Sequence, residues 1–278
     1  MLKKIKQLFV TSRPVSWVNT AFPFAAGYYM TTSTVDWTLI IGTLFFLVPY
    51  NLLMYGVNDV FDYESNILNP LKGGIEGAKL TKSTHPFILF SSFACTIPFV
   101  IFLLVQSSTL GKAVLLFVLA DVLAYSLPKL RFKERPFIDS MTSSIHFVGP
   151  LVYALTFSGF NATAYIIIFA FFLWGMASHA FGAVQDIAPD KEAGLGSIAT
   201  VLGARSTVRF AALLYTTAAF VLCLTGVYGA IVASSILLYS VNIWPYRNVR
   251  EKDAEQTNTA WKRFIELNMF TGFVVSKY

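Results

Sequence analysis

Two short acidic runs in this 278-residue chain have the residue types and spacing to hold a divalent cation. The first is NDVFDYESN, which carries Asn58, Asp59, Asp62, Glu64 and Asn66. On a helix, Asn58, Asp62 and Asn66 share one face at i, i+4 and i+8, with Asp59 beside them three residues before Asp62. Carboxylates this close repel unless a cation sits among them, and hard oxygen ligands suit magnesium, which binds through a few carboxylates plus substrate phosphates. The second run, QDIAPDKEAG, carries Asp186 and Asp190 as D-x-x-x-D, a spacing that again allows one helical face,. Pro189 complicates this: it disfavours helix at Ala188, so a turn there is the other expectation. Between the runs lies YSLPKLRFKERP, with Lys129, Arg131, Lys133 and Arg135. Acids that hold magnesium, with cations that neutralise a diphosphate, would together speed the departure of a phosphorylated leaving group. Taken singly, each run also has a plainer reading: an acid-rich, solvated helix end, or an ordinary basic loop.

The elements that must position these residues are membrane spans. The chain is 55% hydrophobic and 13% charged, against about 25% charged in soluble domains. Its apolar blocks reach the roughly 20 residues that cross a bilayer. Nine candidate spans are expected, at roughly 15–31, 37–57, 86–106, 112–128, 138–158, 163–183, 207–226, 228–245 and 261–276,. With the N-terminus inside, all but two of the 21 lysines and arginines fall on the inner side, the exceptions being Lys112 and Lys277. That asymmetry orients the bundle with its long loops, and therefore its chemistry, at the cytoplasmic face. It also accounts for the net charge of +6 without nucleic acid as a partner,. Cys95 and Cys223 lie inside apolar blocks, which argues against a disulfide or zinc site,. Met1 to Val10 is basic, then briefly apolar; Arg13 and Pro14 interrupt it and no cleavage site follows, so it reads as a cytoplasmic amphipathic lead-in,. The expected fold class is all-α: a multi-pass transmembrane helical bundle forming one membrane-embedded domain over 1–278.

Polar residues at membrane depth usually face a cavity or a partner. Here these are Asn19, Asp121, His146 and His179. Asp121 and Tyr125 are one helical turn apart and can both reach toward the basic loop. For each histidine a hydrogen bond between helices is the simpler reading.

These motifs resemble those of the UbiA superfamily of intramembrane prenyltransferases. NDVFDYES resembles its first aspartate motif, DIAPD followed by KEAGLGSIATVLG its second, and YSLPKLRFKERP its Tyr-Ser-x-Pro basic loop. Asn66 stands where that family usually has a third aspartate, with Glu64 nearby. The nine spans fit the family's nine-helix fold. Within the superfamily, SRPVSWVNTAFPFAAGYY and YGVNDVFDYESNILNPLKGGIEGA are most similar to the lycopene elongase branch.

The resemblance implies an integral protein of a bacterial or archaeal cell membrane that uses Mg2+ to ionise a prenyl diphosphate. It implies Asn58, Asp59, Asp62, Asp186 and Asp190 as metal ligands, four of them, the aspartates, being the catalytic groups. Lys72, Lys129, Arg131, Lys133, Arg13, Asp121 and Tyr125 are the expected substrate contacts; Lys72 precedes Gly73-Gly74, which could let it close over phosphates or could simply make a turn. The branch implies dimethylallyl diphosphate as donor and lycopene as acceptor. The apolar parts of the spans contain no lysine or arginine, which also favours an uncharged acceptor. The alternative is an aromatic acid, a hydroxybenzoate or naphthoate, with Arg13 at the mouth of the first span serving its carboxylate. A rival of another class is a transporter, which would show Gly- or Pro-broken midplane helices in matched halves; no such pair is evident in the sequence.

Overall fold

In a computed structural model, residues 2–63, 67 and 80–277 are described. Glu64, Asn66 and Lys72, three of the residues singled out above, lie outside them. Among the described residues there are helices and no strands. This is the expected response to hydrocarbon, where each backbone group must be satisfied within its own segment.

The chain divides into two compact units, Met1–Arg131 with Gly149–Gly159, and Phe132–Val148 with Phe160–Tyr278. The first unit contains α1 (Leu2–Thr11), α2 (Trp17–Thr32), α3 (Trp37–Leu47), α4 (Pro49–Phe61), α5 (His85–Gln106) and α6 (Thr109–Ser126). Helix α7 (Ile138–Leu155) gives its last turns to this unit and its first turns to the other. The second unit continues with α8 (Ala162–Val184), α9 (Ile187–Glu192), α10 (Ile198–Leu202), α11 (Ala204–Cys223), α12 (Val227–Ile243), α13 (Asn258–Lys262) and α14 (Phe264–Val275).

Each of the nine apolar blocks falls on helix, but not all in one piece. By length and composition, six helical segments among the described residues suffice to cross a membrane: Trp37–Phe61, Lys82–Gln106, Thr109–Ser126, Ala162–Val184, Ala204–Cys223 and Val227–Tyr246. The first block gives only the 16-residue α2. The fifth, α7, carries Asp139 and a run of hydroxyl residues. The ninth is split at Arg263 into α13 and the 12-residue α14.

The second block, expected to be continuous over 37–57, is broken at Val48–Pro49 and runs on to Phe61. Pro49 has no N–H and its ring cannot sit in a straight helix interior. The side chain of Asn51 repairs the break: its Nδ2 donates to the Phe46 carbonyl at 2.8 Å, the Leu47 carbonyl at 3.1 Å and Thr20 Oγ1 at 2.7 Å. Thr20 Oγ1 in turn donates to the Phe46 carbonyl. The counterpart helix α8 is unbroken, so among the described residues these two helices do not form a matched broken pair of the transporter kind.

The core of the first unit is aromatic: Phe24, Phe45, Phe46, Tyr50 and Tyr153 are fully buried and pack at offset and edge-to-face angles,. In the second unit α8, α11 and α12 pack through alanines, among them Ala177, Ala180, Ala211 and Ala218. Small residues let backbones approach closely where lipid supplies no hydrophobic drive between helices. Gly175 makes one such approach, since a Cβ there would clash with Ser144 Oγ; that hydroxyl donates to the Phe172 carbonyl. The outer faces are apolar, as lipid demands: on α5, Phe90, Ile97, Ile101 and Val105 project outward. The two cysteines are free and exposed on such faces.

Candidate active site

In the first unit the acidic run sits at the end of α4. Asp62 caps that helix, its N–H donating to the Asn58 carbonyl. The expected common face is realised for Asn58 and Asp62: Asn58 Nδ2 donates to Asp62 Oδ2 at 2.7 Å and to Ser126 Oγ at 3.2 Å. Ser126 is the last residue of α6, so this bond ties the first acidic run to the start of the basic loop. Asp59 is completely buried and receives Arg13 Nη2 on Oδ1 at 2.8 Å. Arg131 Nη2 lies 3.8 Å from Asp62 Oδ1. The structure thus gathers Asn58, Asp59, Asp62, Arg13 and Arg131 around one helix end.

The basic loop is strained. Lys129 and Arg131 adopt left-handed backbone at φ 75° and 39°, a region that non-glycine residues occupy only when their surroundings hold them there. A tight turn does so here, with the Leu130 and Arg131 N–H groups both donating to the Leu127 carbonyl. Lys129 is exposed. Tyr125 is half-buried next to Ser126, and Asp121 is buried one turn deeper in α6.

In the second unit Asp186 caps α9 and Asp190 lies within it. Of the helix and the turn left open at Pro189, the chain takes the helix, with the Asp190 N–H bonded to the Asp186 carbonyl at 2.9 Å. Pro189 falls in the first turn, where its missing N–H leaves no intrahelical bond unmade. The two aspartates therefore stand one helical turn apart. Burial, and then the neighbouring Asp186 carboxylate, push Asp190 up to about 7; Lys133 and the Ser197 hydroxyl oppose this. Two carboxylates this close ionise together readily only when a cation shares their site.

The loop after α9 is fastened by a residue that sequence reasoning missed. Asp139, fully buried, accepts the Ser140 N–H on Oδ1 and the Ile198 N–H on Oδ2, both at 2.7 Å. The only signal in the sequence was an acid among hydroxyl residues at the start of a span. Ser140 Oγ meets His179 Nδ1 at 3.1 Å, so His179 has the interhelical role expected of it. Close by, a Cβ on Gly196 would stand 2.7 Å from the Glu134 carbonyl oxygen, so the loop after Asp190 touches the backbone that carries Lys133.

The donor set suits magnesium. Among the described residues no group of three or more His, Cys, Asp or Glu side chains converges on a metal position. Magnesium needs fewer, since it completes its shell with water and substrate phosphates. Asp59 Oδ2 is buried and makes no hydrogen bond among the described residues, which leaves it open to a cation.

Residues 20–273 match the UbiA prenyltransferase family. The chain is 46% identical to a lycopene elongase/hydratase of Corynebacterium glutamicum, over 99% of its own length and 97% of that protein's. It is 49% identical to a C(50) beta-cyclic carotenoids biosynthesis protein of Dietzia, over 97% of its own length and 63% of the other's. A lycopene elongase/hydratase of Halobacterium salinarum is 30% identical over 88% of both chains. In three dimensions the fold matches that of a UbiA homolog from Archaeoglobus fulgidus bound to DMAPP and Mg2+, with a TM-score of 0.69 at 17% identity, covering 97% of this chain and 98% of the other. An apo UbiA homolog from Aeropyrum pernix superposes with a TM-score of 0.68 at 17% identity, covering 95% and 96%. The chain belongs to the UbiA prenyltransferase family.

Proposed function

We propose that this membrane prenyltransferase transfers a five-carbon unit from dimethylallyl diphosphate to an end of lycopene, at the cytoplasmic face of a bacterial or archaeal cell membrane. The observation that carries the choice of acceptor is the Arg13–Asp59 pair. An aromatic acid would need a cation for its buried carboxylate, at a cost of several kcal/mol otherwise, and Arg13 was the candidate. Its guanidinium is committed to Asp59. A carotenoid asks only for apolar surface. The names of the relatives, lycopene elongase/hydratase and C(50) carotenoid biosynthesis protein, support the same acceptor, and the DMAPP and Mg2+ bound by the Archaeoglobus homolog support the donor and cofactor.

Held by Asn58, Asp59 and Asp62 and by Asp186 and Asp190, magnesium would supply the positive charge that a departing diphosphate requires. Lys129, Arg131 and Lys133, with Lys72 from outside the described residues, bind diphosphate oxygens and neutralise the charge that develops as the C–O bond breaks. The bond's electron pair leaves with the diphosphate. The terminal double bond of the acceptor attacks the allylic cation, a C–C bond forms, and a proton is lost. Tyr125 and Asp121, one turn apart on α6, are assigned to the substrate, Tyr125 to offer the cation an aromatic face.

Expression in a lycopene-producing bacterial host tests the assignment. Carotenoids heavier by one or two five-carbon units are expected. Unmodified lycopene beside a prenylated hydroxybenzoate or naphthoate would move the chain to the aromatic branch.

A further inference from the structure

The geometry points to Arg13 as the positioning residue of the magnesium ligand Asp59, fixing which of its two oxygens meets the metal. The inference rests on the metal-dependent reading above and adds a residue to it. Asp59 divides its oxygens unequally. Oδ1 accepts Arg13 Nη2 at 2.8 Å, whereas Oδ2 is buried and makes no hydrogen bond among the described residues. A carboxylate that ligates through one oxygen is typically held through the other by an outer partner, which orients it. Left alone, a carboxylate rotates about its last torsion and offers either oxygen.

Arg13 is itself held in three ways. Its guanidinium carbon lies 4.1 Å from the centre of the Tyr55 ring, one turn before Asp59 on α4. Its backbone is left-handed, φ 48° and ψ 73°, and is locked there by bonds from its N–H to the Val10 carbonyl and from the Ser16 N–H to its own carbonyl. Trp17 Nε1 closes the same turn on the Ser12 carbonyl at 3.0 Å. A strained non-glycine backbone persists where its surroundings over-determine it, and such positions gather at functional sites. The turn between α1 and α2 thus aims a planar, permanently charged fork at one oxygen of one carboxylate. Lysine, a point charge on a flexible stem, would not reproduce it.

The test is direct metal binding. The full chain, purified into phospholipid nanodiscs, is titrated with Mn2+ in the presence of inorganic pyrophosphate, and free Mn2+ is read by EPR. Arg13→Ala is expected to weaken Mn2+ binding about 10- to 100-fold, the usual effect of losing an outer partner. Arg13→Lys should fall between Arg13→Ala and the parent, and added guanidinium should restore part of the loss in Arg13→Ala. Turnover of Arg13→Ala should require more magnesium and recover in part when magnesium is raised. Should Arg13→Ala not fold, Tyr55→Leu, which removes the platform and keeps the charge, is expected to weaken Mn2+ binding in the same direction. Equal or tighter binding in Arg13→Ala, or in Tyr55→Leu where that variant stands in, overturns the positioning role and leaves the metal reading standing. A parent protein that binds no Mn2+ overturns both.

Discussion

Replacing Gly196 by alanine probes the joint between the second aspartate pair and the basic loop. The added Cβ would lie 2.7 Å from the Glu134 carbonyl oxygen, about 0.7 Å inside the 3.4 Å at which ordinary contact begins. That oxygen is backbone and cannot rotate aside, so one of the two segments must move. Overpacking of this kind costs about 1–3 kcal/mol. It also shifts the strand of chain that carries Lys133, whose charge helps keep Asp190 ionisable. Gly194, in the same loop, is the comparison: its φ of 69° makes alanine strained, but nothing lies within 4 Å of the added carbon, so about 1–2 kcal/mol of conformational cost is all that is expected. Both variants are measured by thermal unfolding in detergent and by turnover under saturating magnesium. Gly194→Ala is expected to lose stability and keep turnover; Gly196→Ala is expected to lose both. Equal turnover in the two would show that the contact with Glu134 does not position the site.

Asp62→Ala and Asp190→Ala should each lower turnover by about 100-fold or more while the protein stays in the membrane, because each removes a ligand and the charge that positions the diphosphate; retained activity in either would remove its cluster from the mechanism. In the metal-free protein Asp190 is pushed up to about 7, so folding favours its protonated form, and the stability this gives below the ordinary carboxylate range is lost as pH rises through about 7. Metal needs the carboxylate, so Mn2+ binding should tighten as pH rises toward 7 and release a proton; calorimetry in buffers of different ionisation enthalpy would detect it, and Asp190→Asn should abolish it. Asp139→Ala leaves the buried Ile198 N–H without its acceptor and should cost about 1–3 kcal/mol in unfolding. Reporter fusions at Thr32, Lys133 and Asn161 should read outside, inside and outside, and a cytoplasmic reading at Asn161 would break the proposed topology.

The spans and the spacing of the two acidic runs were legible because lipid and the helical repeat impose strict demands on residue type and position. Hydrocarbon forces long apolar runs, and carboxylates spaced for one helical face have few other uses at a membrane surface. Asn58 and Asp62 met as i and i+4 residues should. What the sequence concealed depends on neighbours distant along the chain. The break at Val48–Pro49 is hidden in an apolar run, and its repair requires Asn51 to meet Thr20, 31 residues away. Pro189 left helix and turn both open, and only the placement of Asp186 as the cap makes it a first-turn residue. Arg13 and Asp59 are 46 residues apart, so the arginine's charge was visible but its partner was not. Asp139 carried no motif, because its task is to hold a backbone N–H of a loop that follows 59 residues later.

The measurement closest to the central claim uses the purified protein in nanodiscs with labelled dimethylallyl diphosphate and magnesium, offered lycopene and a hydroxybenzoate in the same vessel. The account requires label in a carotenoid lengthened by five carbons, none in the aromatic acid, and none in either when EDTA replaces magnesium. Label in the hydroxybenzoate with lycopene unchanged, or lycopene extended without a divalent metal, would contradict it.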